Sequence, residues 1–182
     1  MNVEKLISNG SGALIAIAAL GAAAQLSISL PESVSVAPIT GQSLVVLLIA
    51  HLLKEKWAPA AIVIYLLIGI AGAPVFSGFE GGWEKFSGPS LGYFAGFIIA
   101  AIVGGILARK QKERFAFYLL QMLIGTVLIL LCGWLGLFRF FDAQTAFIKG
   151  VLPFLPGALT KIILGAALLS VFRRFKTLMK TV

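Results

Sequence analysis

Acidic side chains are scarce in these 182 residues, and their placement excludes more than their number does. All seven (Glu4, Glu32, Glu55, Glu80, Glu84, Glu113 and Asp142) fall in loops or at the ends of apolar runs. Without an acid inside a run there is no paired carboxylate for acid–base chemistry and no embedded carrier for a proton or Na⁺. Cysteine occurs once, at Cys132 within an apolar run, which removes a disulfide framework and a multi-cysteine metal site. Histidine also occurs once. Metal ligands come in clusters, so His51 reads as a span-end residue. No phosphate-binding glycine loop and no nucleophile elbow is present. The chain cannot hydrolyse ATP by itself, no cofactor is implied, and catalysis is not expected.

What is abundant is apolar surface. Hydrophobic residues make up 59% of the chain, against roughly 45–50% in soluble domains. Charged residues make up 12%, against about 25%. With a mean hydropathy of +1.01, the composition is that of an integral membrane protein. A hydrocarbon core about 30 Å thick takes roughly 20 helical residues. The chain has room for about six such crossings and no separate soluble domain, so residues 1–182 are expected to form a single transmembrane domain. Barrel strands would alternate apolar and polar residues, whereas these runs are apolar all round, so the fold is all-α.

Apolar windows place the spans at residues 12–28, 42–53, 57–76, 90–108, 115–138 and 156–172. The second is short for a full crossing: it either extends back through Pro38 or lies partly buried against its neighbours. The net charge of +8 suggests nucleic acid at first sight, but the basic residues cluster beside apolar runs. Eleven (Lys5, Lys54, Lys56, Arg109, Lys110, Lys112, Arg114, Arg173, Arg174, Lys176 and Lys180) flank one side, and three (Lys85, Arg139 and Lys149) the other. This bias puts both termini in the cytoplasm and requires an even number of spans. The first run, with Ala22-Ala23-Ala24 before Gln25, loosely resembles a signal peptide. Cleavage would leave five helices and spoil the charge bias, so it reads as a retained span.

Lys161 is the one basic residue inside a span. Embedding an ammonium costs about 2.5–3.5 kcal/mol on insertion scales, so a ligand contact is expected, with snorkelling to the outer surface as the alternative. Gly157, Lys161 and Gly165 repeat every four residues, which aims the lysine at other helices. In the fourth span Gly92, Gly96, Ala100, Gly104 and Ala108 form a stripe for close packing. Its outer end, with Ser90, Gly92 and Tyr93, is a helix N-terminus suited to a ligand carboxylate or carbonyl. Ala18, Ala19, Ala22 and Ala23 form small-xxx-small pairs that serve either internal packing or docking to another membrane subunit. The loop 77–89 is rich in glycine and carries Phe79, Trp83 and Phe86, an aromatic lid or an interfacial anchor. Gln121 is expected to hydrogen-bond between helices, and Gln42 to line a pocket.

Four segments carry a resemblance. Ala-Gln-Leu-Ser-Ile at 24–28, Pro-Ile-Thr-Gly-Gln-Ser-Leu at 38–44, Gly-Pro-Ser-Leu-Gly-Tyr-Phe-Ala-Gly-Phe at 88–97 and Gly-Val-Leu-Pro-Phe-Leu-Pro-Gly-Ala-Leu-Thr-Lys at 150–161 are similar to the BioY family. These are biotin transporters, the substrate-binding S components of energy-coupling factor systems. The resemblance implies a six-helix bundle in the cell membrane with biotin near the extracellular face, under the first and third loops. It implies a membrane coupling (T) subunit and two cytoplasmic ATPases as partners, with the alanines of the first span as docking face. The family's Gly-Tyr pair falls on Gly92 and Tyr93, and its last-helix lysine on Lys161. Two positions depart from the pattern. Ser90-Leu91-Gly92-Tyr93 stands where Thr-Gly-Gly-Tyr is usual, and Ala158 where an Asp is usual. Glu80, Glu84 or the ligand's own carboxylate could take over that acid's place. An assembly subunit without tight ligand binding is the competing expectation; an ion-coupled transporter is disfavoured by the lack of embedded acids.

Overall fold

The computed structural model describes residues 10–53, 56–110 and 114–178. In chain order the elements are α1 (Gly10–Gln25), β1 (Ser27–Ile28), β2 (Ile39–Thr40), α2 (Gln42–Leu52), α3 (Trp57–Ile70), α4 (Trp83–Ser87), α5 (Leu91–Lys110), α6 (Phe115–Gly136), α7 (Ala143–Gly150) and α8 (Leu155–Leu178). Six long helices therefore fall on the six apolar runs. The flanking charges Glu4, Lys5, Lys54, Glu55, Lys112, Glu113 and Lys180 lie outside the described residues.

The bundle wears its apolar residues on both faces. A core of Leu20, Val46, Ile62, Tyr65, Tyr118 and Met122 is closed to solvent. Leu67, Leu123, Val127, Leu159, Ile163 and Val171 are just as apolar and point outward. A soluble protein seldom exposes apolar surface so continuously, whereas lipid requires it. Among the described residues, three helices are long and apolar enough to cross a membrane, within Leu91–Arg109, Phe115–Arg139 and Ala143–Leu178; the described parts of α1, α2 and α3 are shorter. α2 does not extend back through Pro38. It starts at Gln42 and buries Val46, Leu47, Ile49 and Ala50 among its neighbours.

Three boundaries differ from the hydropathy windows by three residues or more. α1 stops at Gln25 because Ser27 and Ile28 pair antiparallel with Thr40 and Ile39. α3 stops at Ile70 because Gly72 adopts φ +103°, a left-handed turn that glycine enters without steric cost. α8 runs on to Leu178 as a polar-faced extension of the last span. The loop helix α7 has no apolar signal strong enough for hydropathy to find. Asp142 caps it, accepting from the backbone N–H groups of Gln144 and Thr145 at 3.0 Å. Hydrogen bonds from Thr145 and Gln144 hold that carboxyl below its ordinary pKa.

Helices α5 and α6 pack along glycine. The Gly92-Gly96-Ala100-Gly104 stripe meets α6 at the Gly136 and Gly133 Cα atoms, at Ile129 and Cys132, and at Gln121. Near the far end of α5, Gln121 donates to the Gly104 carbonyl at 2.9 Å and faces His51 Nδ1 at 2.8 Å. Gln121 thus ties α2, α5 and α6 together, the interhelical role its sequence position suggested.

Candidate functional site

At the end of the bundle opposite the chain's Arg173-Arg174 pair, the β1–β2 pairing, the α3–α5 connection and the start of α8 enclose a cavity of ≈ 70 Å³. Its polar lining comes from Thr40, Gln42, Ser43, Ser77, Lys85, Ser90, Thr126 and Lys161. Its apolar walls are chiefly Phe76, Tyr93, Phe94, Phe97 and Phe154. Among the described residues, none of the acids Glu32, Glu80, Glu84 and Asp142 is in the lining. Lys161 therefore gives the pocket its positive charge, Lys85 being paired with Glu80 at 2.6 Å, over an aromatic interior.

Lys161 lies one and a half turns inside α8, and its ammonium turns into the bundle rather than out to the surface. It donates to the Thr40 carbonyl at 2.7 Å and to Ser43 Oγ at 3.0 Å. An ammonium has three N–H donors, so one remains to be directed at a ligand. Gln42 is buried and sits at the centre of a second chain of bonds. Its Oε1 accepts from Thr40 Oγ1 at 3.2 Å and its Nε2 donates to Tyr65 Oη at 2.8 Å. Tyr65 passes the chain on to the Val75 carbonyl at 2.8 Å. The Pro-Ile-Thr-Gly-Gln-Ser segment is thus the hub that joins α8 to the α3–α5 connection.

That connection roofs the cavity. Phe76 stacks on Phe94 at 5.1 Å and Phe86 stacks on the same ring at 5.8 Å. Gly69 has no side chain, which leaves room for the Phe76 ring. Gln25 pins the loop from the other side: Nε2 donates to the Phe76 carbonyl at 3.0 Å and Oε1 accepts from the Phe79 N–H at 3.0 Å. Trp83 and Phe79 remain exposed at the rim. Of the three aromatic residues of the 77–89 loop, Phe86 packs on the bundle while Phe79 and Trp83 face outward.

Of the six residues expected around a ligand, the structure gathers Lys161, Tyr93, Ser90 and Gln42 at the cavity and places two elsewhere. Gly92 is not at the lining. It sits against α6, where an added Cβ would strike the Cys132 carbonyl and lie 3.0 Å from Gly136 Cα. Its lack of a side chain serves helix approach. Glu80 is half exposed and reaches the cavity only through Lys85, which it pairs with at 2.6 Å. Tyr93 lines the cavity with its ring, while its hydroxyl donates to the Gly150 carbonyl at 2.6 Å. It therefore braces α7 against α5, and Gly133 and Gly150 leave room for it.

The four alanines of α1 also separate. Ala18 and Ala22 are exposed, Ala19 is partly covered, and Ala23 is buried. Ala23 belongs to the bundle, where its carbonyl accepts from the Gly41 N–H at 3.1 Å. The outward stripe is Ala18 and Ala22 with Leu14 and Ile15 beside them.

Reading residue types alone missed Lys85, Ser43 and Gln25. Lys85 stands in the single turn α4, too short to give a periodicity that tells which way a side chain points. Ser43 and Gln25 were present within the segments 38–44 and 24–28, so their signal was positional. Tyr65 lies in an apolar run whose only mark is a phenol in need of a partner.

The chain matches the model of the BioY family over residues 4–177. It is 39% identical to a biotin transporter BioY of Thermotoga maritima over 130 residues, 71% of this chain and 76% of that one. It is 38% identical to a probable biotin transporter BioY of Pyrococcus horikoshii over 141 residues, 78% of this chain and 80% of that one. Its fold is similar, with a TM-score of 0.78 and 23% identity, to the crystal structure of the S-component for biotin from an ECF-type ABC transporter. That similarity covers 90% of this chain and 89% of the other. The chain belongs to the BioY family.

Proposed function

We propose that this protein binds biotin, or a close carboxylated analogue, on the extracellular side of the cell membrane and mediates its uptake as the S component of an energy-coupling factor transporter. It is a membrane protein of a transporter family, not an enzyme. The observation that carries the reading is a pocket with an embedded ammonium among aromatic walls, built from the segments that mark the family. Biotin has a carboxylate, an apolar stem and a ureido group with two N–H donors and one carbonyl. Lys161 and Lys85 supply cationic donors, the phenylalanines pack the rings, and Ser43, Ser90 and Thr126 supply oxygen acceptors for the ureido N–H groups. Those hydroxyls stand in for the acid that Ala158 lacks, so the pocket is less acidic than the family pattern.

A cysteine introduced at Ser87, in a Cys132→Ala background, tests site and sidedness together. An impermeant thiol reagent is expected to label it in intact cells, and biotin to slow that labelling. A cysteine at Thr177 is expected to stay unlabelled until the membrane is opened. Labelling at 177 but not 87 would reverse the orientation; labelling at 87 with no effect of biotin, and no binding of labelled biotin by the purified protein, would leave an assembly subunit.

The coupling subunit is proposed to dock on Ala18 and Ala22, where small residues let a partner backbone approach. Ala18→Leu with Ala22→Leu is expected to abolish co-purification with the coupling subunit and ATPases while biotin binding persists. Loss of binding and folding together would show that this stripe packs within the bundle instead.

A further inference from the structure

We propose that the Ser77 hydroxyl is a ligand contact in the cavity and that Gln25, at the end of α1, is the residue that positions it. The inference rests on the biotin reading above and names two further residues for it. Ser77 lines the cavity and is only 8% exposed. The other hydroxyl residues of the lining, Thr40, Ser43, Ser90 and Thr126, are each less buried. Thr40 Oγ1 is engaged by Gln42 and Ser43 Oγ by Lys161. The Ser77 hydroxyl has no hydrogen-bond partner among the described residues. Polar groups buried that deeply are almost always hydrogen-bonded. In the wall of a cavity, the partner left to supply is the ligand. A hydroxyl both donates and accepts, so it suits either the ureido group or the carboxylate of biotin.

Gln25 bonds on both sides of this serine. Its Nε2 donates to the Phe76 carbonyl and its Oε1 accepts from the Phe79 N–H, each at 3.0 Å. The Phe76 carbonyl belongs to the peptide unit that carries the Ser77 nitrogen, so the first bond holds the unit from which the serine springs. The turn has reason to move without this hold. Gly78 and Phe79 adopt φ +76° and +56°, and Phe79 is the one non-glycine residue with positive φ among the described residues. Left-handed backbone is unfavourable for a bulky side chain. The Phe79 ring, 71% exposed, gains little packing in return.

The remaining ties lie to either side. Tyr65 Oη donates to the Val75 carbonyl at 2.8 Å, and the Gly82 N–H donates to the Gly69 carbonyl at 2.7 Å. The Phe76 ring stacks on Phe94. The Phe76 N–H to Glu80 carbonyl bond, at 2.9 Å, closes the turn on itself without locating it against a helix. The Gln25 carboxamide does locate it, because one end donates and the other accepts. A ligand that needs Ser77 in place binds more weakly in proportion as the turn is elsewhere.

The test is a double-mutant cycle read as the Kd of purified protein for labelled biotin in nanodiscs, with monodispersity and Tm as the check on folding. Ser77→Ala and Gln25→Leu are each expected to weaken binding by roughly three- to tenfold. Because Gln25 acts through Ser77, the double variant should be no weaker than the weaker single, whereas independent losses multiply. Gln25→Glu keeps the shape and the acceptor for the Phe79 N–H but sets a carboxylate oxygen against the Phe76 carbonyl. It should bind as weakly as Gln25→Leu, and it completes the cycle if the leucine variant does not fold. Losses that multiply would show that Gln25 merely supports the bundle and would overturn the proposal. So would unchanged affinity in Ser77→Ala, or a Gln25→Glu protein that binds like wild type. A wild-type protein that binds no labelled biotin would overturn the biotin reading and this inference with it; wild-type binding with any of the other three results overturns this inference alone.

Discussion

Lys161→Ala is expected to weaken biotin binding by roughly 10- to 150-fold, because hydrogen bonds to charged groups contribute about 1.5–3 kcal/mol. The ammonium lies at the cavity with two protein acceptors, Thr40 O and Ser43 Oγ, and a third N–H available. Removing it costs the ligand contact and also the tie between α8 and the 38–44 segment. Lys161→Met separates these effects from packing, since it keeps the apolar stem and deletes the charge. It should match alanine for binding. Protein yield should change little in either, because an embedded charge that costs insertion energy is gone. Unchanged affinity in both variants, measured with labelled biotin in nanodiscs, would remove the lysine from the site. Ala158→Asp extends the test. It restores an acceptor beside Lys161 and should leave affinity unchanged or raise it. If it abolishes binding, the lysine's full charge is needed for the ligand carboxylate and the ureido group lies elsewhere.

Gly92→Val is expected to leave almost no folded protein. Even its Cβ would press on the Cys132 carbonyl and stand 3.0 and 3.1 Å from the Cα atoms of Gly136 and Gly133. Every one of those neighbours is backbone, so nothing can rotate aside and the two helices must part. Overpacking costs about 1–3 kcal/mol where side chains can yield, and more is expected where they cannot. Yield of monodisperse protein and its Tm in detergent are the measurements. Gly21→Ala is the contrast: nothing lies within 4 Å of its Cβ position, and alanine is the better helix former by about 1 kcal/mol. A Gly92→Val protein with an unchanged Tm would mean that the α5–α6 seam does not bear on the fold.

These two residues also show how far the sequence could be read. Lys161 was legible because a charge in an apolar run is conspicuous and helical spacing gives its direction. Gly92 was open to two readings at once, as the start of an anion-binding helix end and as the first step of a packing stripe. Only the position of α6 decides for packing. The same holds for Ala18 and Ala23, which look alike in sequence yet face opposite ways, because an all-apolar helix has no polar side to orient it. The spans were legible to within a few residues wherever hydropathy alone ends a helix. Boundaries made by the Gly72 turn or by the β1–β2 pairing were not, since both depend on contacts made by the backbone. Lys85, in the single turn α4, and its partner Glu80 lay beyond reach as well: so short a helix and the turn before it have no period from which a direction can be taken.

The helices differ in length by more than their sequence order suggests, and the bilayer must accommodate the difference. At about 1.5 Å per residue, the 20, 22 and 24 residues of α5, α6 and α8 match or exceed a hydrocarbon core about 30 Å thick. The 14 residues of α3 fall several ångströms short of it. That helix packs against α1, so the shortfall lies on one flank. A span shorter than the hydrocarbon core is accommodated by thinning the lipid or by association with another protein, at a modest cost for each ångström of mismatch. Ala18 and Ala22 stand exposed on α1. Docking of the proposed coupling subunit there would replace lipid that is otherwise compressed.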